Sequence, residues 1–103
     1  MTEEIRYKIL KKIAEDPDIS QRELAEHMGV SLGKVNYCMQ ALKEKGLVKA
    51  RNFKNNPDKR RYLYVLTPKG VEEKTRVAAR FLKRKIEEYE LLKKEIAQLK
   101  REV

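Results

Sequence analysis

Lys34, Asn36, Tyr37 and Gln40 share one face of a segment with helical periodicity, and they are the side chains best placed to do chemistry. Asn and Gln can bond an adenine edge in pairs, Lys can reach guanine acceptors or phosphate, and Tyr can bond phosphate or pack on a thymine methyl. Ser31, and Ser20, Gln21 and Arg22 one segment earlier, sit where first-turn amides and hydroxyls suit phosphate oxygens, although helix capping explains the two serines equally well. A second group, Lys59, Arg60 and Arg61, can enter a narrow A·T-rich minor groove, where negative potential is concentrated. Asp58 beside them fits an acceptor that orients an arginine. Both groups point to double-stranded DNA rather than to bond-making chemistry.

Composition excludes most alternatives. One cysteine (Cys38) and one histidine (His27) among 103 residues preclude an internal disulfide and a zinc set within one chain. There is no paired-carboxylate motif, nucleophile–base set or Gly-rich phosphate loop, so no enzyme, metal or cofactor is expected. His27 reads as a solvated helix residue and Cys38 as a small core filler. No apolar run approaches the roughly 18–20 residues of a membrane span, and the start Met1-Thr2-Glu3-Glu4 lacks a signal peptide, so a cytoplasmic protein is expected. The net charge of +9 is unevenly placed: residues 1–46 sum to zero, 47–85 to +10 and 86–103 to −1. Such clustering attracts phosphate.

The elements that must position these groups follow from caps and periodicity. Thr2 begins a first helix running to about Glu15, with Ile5, Ile9, Leu10 and Ile13 as its apolar stripe, stopped by Asp16-Pro17-Asp18. Ile19 reads as a one- or two-residue strand. Ser20-Gln21-Arg22-Glu23 is a capping box that opens a second helix ending at Gly29. Ser31 caps a third helix, residues 31–45, which buries Val35, Cys38, Met39 and Leu42 and stops before Gly46. Leu47-Val48 and Tyr62 to Leu66 read as antiparallel strands around the polar turn Asn55 to Lys59, making a hairpin wing with its tip at 54–61. Thr67-Pro68 then starts a helix of about 35 residues, on the order of 50 Å.

Two short capped helices joined by Gly-Val-Ser, with small Ala25 at their crossing and Leu24, Met28, Val30, Val35 and Cys38 filling the wedge, form a helix-turn-helix layout. The expected fold is mainly α with a small β wing: a winged helix-turn-helix domain, 1–70, followed by a long helix, 71–103. SLGKVNYCMQALKEKGLV and DKRRYLYVLTPKG resemble the recognition-helix and wing segments of MarR-type winged-helix regulators. The resemblance implies a DNA-binding transcription regulator with Arg60 as its minor-groove arginine and Asp58 as the orienting partner. ISQRELA, VSLGKVNYC, VKARNFKN and FLKRK are similar to a short, exopolysaccharide-associated subgroup, which implies polysaccharide-linked genes. MarR regulators are commonly longer, with a further N-terminal helix beside their effector pocket, so no small-molecule effector is expected.

In the long helix, apolar or small residues recur from Val71 through Thr75, Ala78, Leu82, Ile86, Tyr89, Leu92, Ile96, Leu99 and Val103, with a period of about 3.5 from Leu82 onward. That is a coiled-coil seam. A helix this long outruns a small core, so Leu82, Ile86, Tyr89, Leu92, Ile96, Leu99 and Val103 are expected to meet a second copy in a homodimer, with parallel or antiparallel pairing left open. The alternative to a dimeric repressor is a protein-interaction adaptor on the same scaffold, marked by an apolar patch on the third helix. RNA is disfavoured because the A-form major groove is too narrow for a helix.

Overall fold

The computed structural model describes residues 1–51 and 63–103. The order is α1 (Glu3–Glu15), α2 (Gln21–Met28), α3 (Leu32–Glu44), β1 (Val48–Ala50), β2 (Tyr64–Leu66) and α4 (Pro68–Glu102). Each helix opens on the cap its sequence provides. Thr2, Ser20, Ser31 and Thr67 accept bonds from the backbone amides of Ile5, Glu23, Lys34 and Gly70, which satisfies donors that a helix start leaves open. At Ser20 the box is reciprocal, since its own amide donates to Glu23 Oε1 at 3.3 Å.

The core sits where α1, α2, α3 and the two-stranded sheet converge. Ile9, Leu10, Ile13, Leu24, Ala25, Val35, Cys38, Met39 and Leu42 are all buried, with Ile5, Met28 and Val30 packed partly against them. Hydrophobic burial at roughly 25 cal/mol per Å2 is what stabilises a chain carrying this much charge. Ile19 is part of that core but not of a strand: its amide closes a turn onto the Asp16 carbonyl at 3.1 Å, so the expected bridge at this position is replaced by a buried loop residue.

The strands pair antiparallel with Val48 opposite Leu66 and Ala50 opposite Tyr64. The first strand therefore starts one residue later than the sequence suggests. Leu47 has a different task. Its carbonyl accepts the Thr67 amide at 3.1 Å, while the Thr67 hydroxyl donates to the Gly46 carbonyl at 2.5 Å. A Cβ on Gly70 would lie 2.0 Å from that Leu47 oxygen. The Leu-Thr-x-x-Gly segment is thus a clasp joining the end of α3 to the start of α4, and it requires glycine for space.

The two ends of α4 differ in environment. Its first turns pack on α1 through Gly70, Val77 and Phe81, with Phe81 edge-on to Tyr7 at 5.4 Å between centroids. Arg6 meets Glu73 at 3.2 Å, Arg76 closes on the same carboxylate at 2.6 Å, and Arg80 reaches Glu3 at 2.7 Å. The hydrogen bond from Arg76 and the charges of Arg76, Arg6 and Lys45 hold the Glu73 carboxyl below the ordinary glutamate range, against a partial desolvation. From Leu82 onward every residue is exposed, which stretches the molecule to 65 Å against 26 and 22 Å in the other directions.

The side of α4 that packs on α1 is distinct from the stripe read from the sequence. Val77 is fully buried, whereas Val71 is 51% exposed. At 100° per residue the α1-facing side (Gly70, Val77, Phe81) lies about 130° around the helix from the line Val71-Thr75-Leu82-Ile86. The seam read from the sequence is therefore a separate face that α1 leaves open.

Candidate nucleic-acid interface

The geometry of α2 and α3 follows from the turn between them. Gly29 adopts φ +69°, the left-handed conformation that ends α2, and Val30 donates to the Ala25 carbonyl at 3.1 Å. Ser31 then restarts helix as the N-cap of α3, so three residues, 29–31, join the two helices. Four buried side chains on α3 hold it against the core, and no buried polar group competes with that packing among the described residues.

The opposite face of α3 is open. Gly33, Lys34, Asn36, Tyr37 and Gln40 are all exposed, and Tyr37 is 71% exposed, too much for a ring whose role is to pack in its own fold. With 100° between successive residues, Asn36, Gln40, Gly33 and Tyr37 fall within an arc of about 100°, and Lys34 lies about 60° beyond Tyr37 at the margin. The structure therefore places the base-reading candidates together and puts Lys34 where a backbone contact is more natural than a base edge. Ser31 is exposed at the α3 start; Arg22 is exposed and Ser20 and Gln21 half-buried at the α2 start.

Two residues of this surface were not selected from the sequence. Gly33 has nothing but Ser31 Oγ within 4.0 Å of an added Cβ, so folding does not need a glycine there. A bare patch of helix backbone is useful only if another surface comes close. Leu32 is 43% exposed although it stands in phase with Met39, so spacing alone would have assigned it to the core. It can pack on a thymine methyl.

The basic middle segment is less free than its charge suggests. Arg51 donates to the Pro17 carbonyl and to Asp18 Oδ1, both at 2.9 Å, which ties the end of β1 to the loop before α2. On α4, Arg76 and Arg80 are in ion pairs, Lys85 bonds Glu88 at 3.2 Å, and Arg84 lies 5.0 Å from the Phe81 ring centre. Lys49 and Lys69 are exposed beside the sheet and at the α4 start. Asp58, Lys59, Arg60 and Arg61, with the whole wing tip 54–61, lie outside the described residues.

Two open clefts flank the α1–α4 crossing, one of about 620 Å3 along Glu3, Arg80, Lys83 and Arg84, the other of about 330 Å3 along Tyr7, Lys8, Lys11 and Lys85. Among the described residues no three His, Cys, Asp or Glu side chains gather as a metal site, and no helix is long and apolar enough to cross a membrane.

Residues 2–49 match a family described as winged helix-turn-helix DNA-binding. No protein of curated function matches the chain by sequence. Among solved structures, a MarR variant from Escherichia coli complexed with operator DNA is 29% identical with a TM-score of 0.63, over 71% of this chain and 51% of that one. The zinc-responsive MarR family member ZitR of Lactococcus lactis is 27% identical with a TM-score of 0.67, over 84% of this chain and 58% of that one. Staphylococcus aureus MarR in complex with salicylate and kanamycin is 25% identical with a TM-score of 0.65, over 85% and 56% respectively. The chain spans about half the length of the solved relatives it matches.

Proposed function

We propose that this chain, which is similar to MarR-type winged helix-turn-helix proteins, is a sequence-specific, double-stranded-DNA-binding transcription regulator that acts by binding rather than catalysis. The observation that carries this reading is the α3 face: Asn36, Tyr37 and Gln40 exposed together around Gly33, on a helix locked from behind by four buried side chains. Such a face enters the major groove, where each base pair presents its own donor and acceptor pattern. Ser31, Lys34 and the α2 start at Ser20, Gln21 and Arg22 hold phosphates and set register. Lys59, Arg60 and Arg61 enter a minor groove, with Asp58 orienting Arg60.

The protein works as a homodimer joined through α4 and represses its targets by occupying promoters. Resemblance of ISQRELA, VSLGKVNYC and FLKRK to the exopolysaccharide-associated subgroup supports polysaccharide-linked genes as those targets. No small-molecule effector is part of the proposal. Relatives from Streptomyces coelicolor and S. aureus are described with ligands bound, so a titration with aromatic carboxylates that released DNA would overturn that element.

Selection of the purified protein against a randomised duplex library, with sequencing of the bound pool, tests the function. An enriched two-fold-symmetric motif is expected, and Asn36→Ala or Tyr37→Ala should relax discrimination at one base pair by about 1–3 kcal/mol. A pool without a motif, retained only at low salt, would move the adaptor reading forward, with Leu32 and Tyr37 as its contact residues.

A further inference from the structure

We infer that Leu32 and Tyr37 read the 5-methyl groups of thymines on either side of the bases bonded by Asn36 and Gln40, so that the half-site under α3 is built from A·T pairs. This rests on the DNA-binding function proposed above and names the sequence class that the α3 face selects.

The two side chains stand out by their exposure. Among the described residues outside α4, the large apolar side chains left exposed are Met1, Leu32 and Tyr37, and two of these lie on one face of one helix. Leu32 is 43% exposed, whereas every other leucine before α4 is buried or packed against the core. Neither residue is needed to close the fold, which Val35, Cys38, Met39 and Leu42 seal from the other side of α3. Apolar surface held in water here is surface kept for a partner.

The arrangement fits one kind of base pair. At 100° per residue Leu32 and Tyr37 mark the two edges of the face, about 140° apart, with Asn36, Gln40 and Gly33 between them. Each amide can bond N6 and N7 of an adenine, and the thymine methyl is the apolar group of the same base pair in the major groove. A G·C pair has no counterpart to that methyl. Gly33 permits the approach. A Cβ there would meet only Ser31 Oγ at 4.0 Å, so the fold leaves this backbone bare, and the first turn can settle deep enough for the short Leu32 side chain to reach a base edge.

Guanine is poorly provided for on the same face. Arginine, bidentate to O6 and N7, is the commonest guanine contact, and residues 32–44 contain none. Lys34 lies about 60° beyond Tyr37, and Lys43 about 16 Å along the axis from Leu32, past the first turns that meet base edges. Glu44, whose carboxylate suits the cytosine N4 donor, is in the last turn.

Editing the methyl groups of the duplex tests this with the protein unchanged. On the sequence selected from the randomised library, each thymine of one half-site is replaced in turn by deoxyuridine, which removes the methyl and keeps the hydrogen-bonding edge. Fluorescence anisotropy should show an affinity loss of about fourfold at two of these positions, as burial of one methyl group implies. Leu32→Ala should abolish the loss at one position and Tyr37→Ala at the other, and both side chains are exposed, so the core is undisturbed. At the same two positions 5-methylcytosine should bind better than cytosine by a similar factor. Uracil duplexes that bind as thymine duplexes do at every position would overturn the inference and leave sequence-specific binding intact. A uracil effect that persists unchanged in both variants would mean that duplex shape is sensed instead of the methyl, and G·C pairs at the centre of the selected half-sites would refute the A·T reading. A pool without any motif would remove the DNA-reading function itself.

Discussion

Replacing Gly33 with alanine should make the protein more stable and a worse DNA binder. Alanine is favoured over glycine by about 0.5–1 kcal/mol in a helix interior, which is an upper bound for Gly33 in the first turn of α3, and a Cβ there meets only Ser31 Oγ at 4.0 Å, so the gain is not offset by a clash. For a domain of this size that corresponds to a melting temperature higher by up to roughly 8 °C. On the DNA side, a methyl inserted into a close contact costs about 1–3 kcal/mol, a loss of roughly tenfold or more in affinity. Thermal denaturation and a fluorescence-anisotropy titration on the selected duplex read the two effects separately. Gly70→Ala is the internal contrast. Its Cβ would sit 2.0 Å from the Leu47 carbonyl oxygen, so it should destabilise by about 2–3 kcal/mol or more and lower DNA binding only through the folded fraction. If Gly33→Ala bound the selected duplex as wild type does while Asn36→Ala did not, the bare backbone would have no role in approach. The reasoning from the empty Cβ position would then be wrong.

Val77→Ala should cost about 2–3 kcal/mol at any protein concentration, because it empties a fully buried site between α1 and α4; Leu82→Ala, 61% exposed in one chain, should lower stability only through dissociation, seen as a concentration-dependent melting temperature. Glu73→Gln should flatten the acid limb of the stability curve. The folded glutamate is held below its ordinary range by Arg76 and Arg6, so its contribution is complete above that range and is lost as pH falls through the folded value; stability curves for the two proteins that stayed parallel down to pH 3 would contradict this. Lys34→Ala should weaken binding to all duplexes alike and reduce the salt slope by about one unit, whereas Gln40→Ala should change which sequence is preferred; titrations over a range of salt concentrations and competitor duplexes separate them. Arg51→Ala should cost no more than about 1 kcal/mol in a denaturation curve, since the Arg51–Asp18 pair is largely solvated.

The local chemistry of this chain is written residue by residue. Ser20 and Glu23, Ser31, Thr67 and Pro68 start their helices, and Gly29 ends one, because caps and left-handed turns depend on side chains within three or four positions. The core stripes of α1 and α3, and the open polar face of α3, follow from the same short-range periodicity. Tertiary structure decided whatever depended on which surface comes near. Leu32 has the spacing of a core residue and Val77 does not follow the stripe, yet Leu32 is exposed and Val77 buried, because burial is set by the partner helix and not by phase alone. Ile19 became a loop core residue instead of a strand for a similar reason, its amide being taken by Asp16. The closest case is Gly70, whose motif resembles part of a DNA-reading wing while its necessity comes from a carbonyl 23 residues earlier in the chain. Long-range contacts of that kind leave no periodic trace, since a single oxygen at a single distance decides which side chain can stand there.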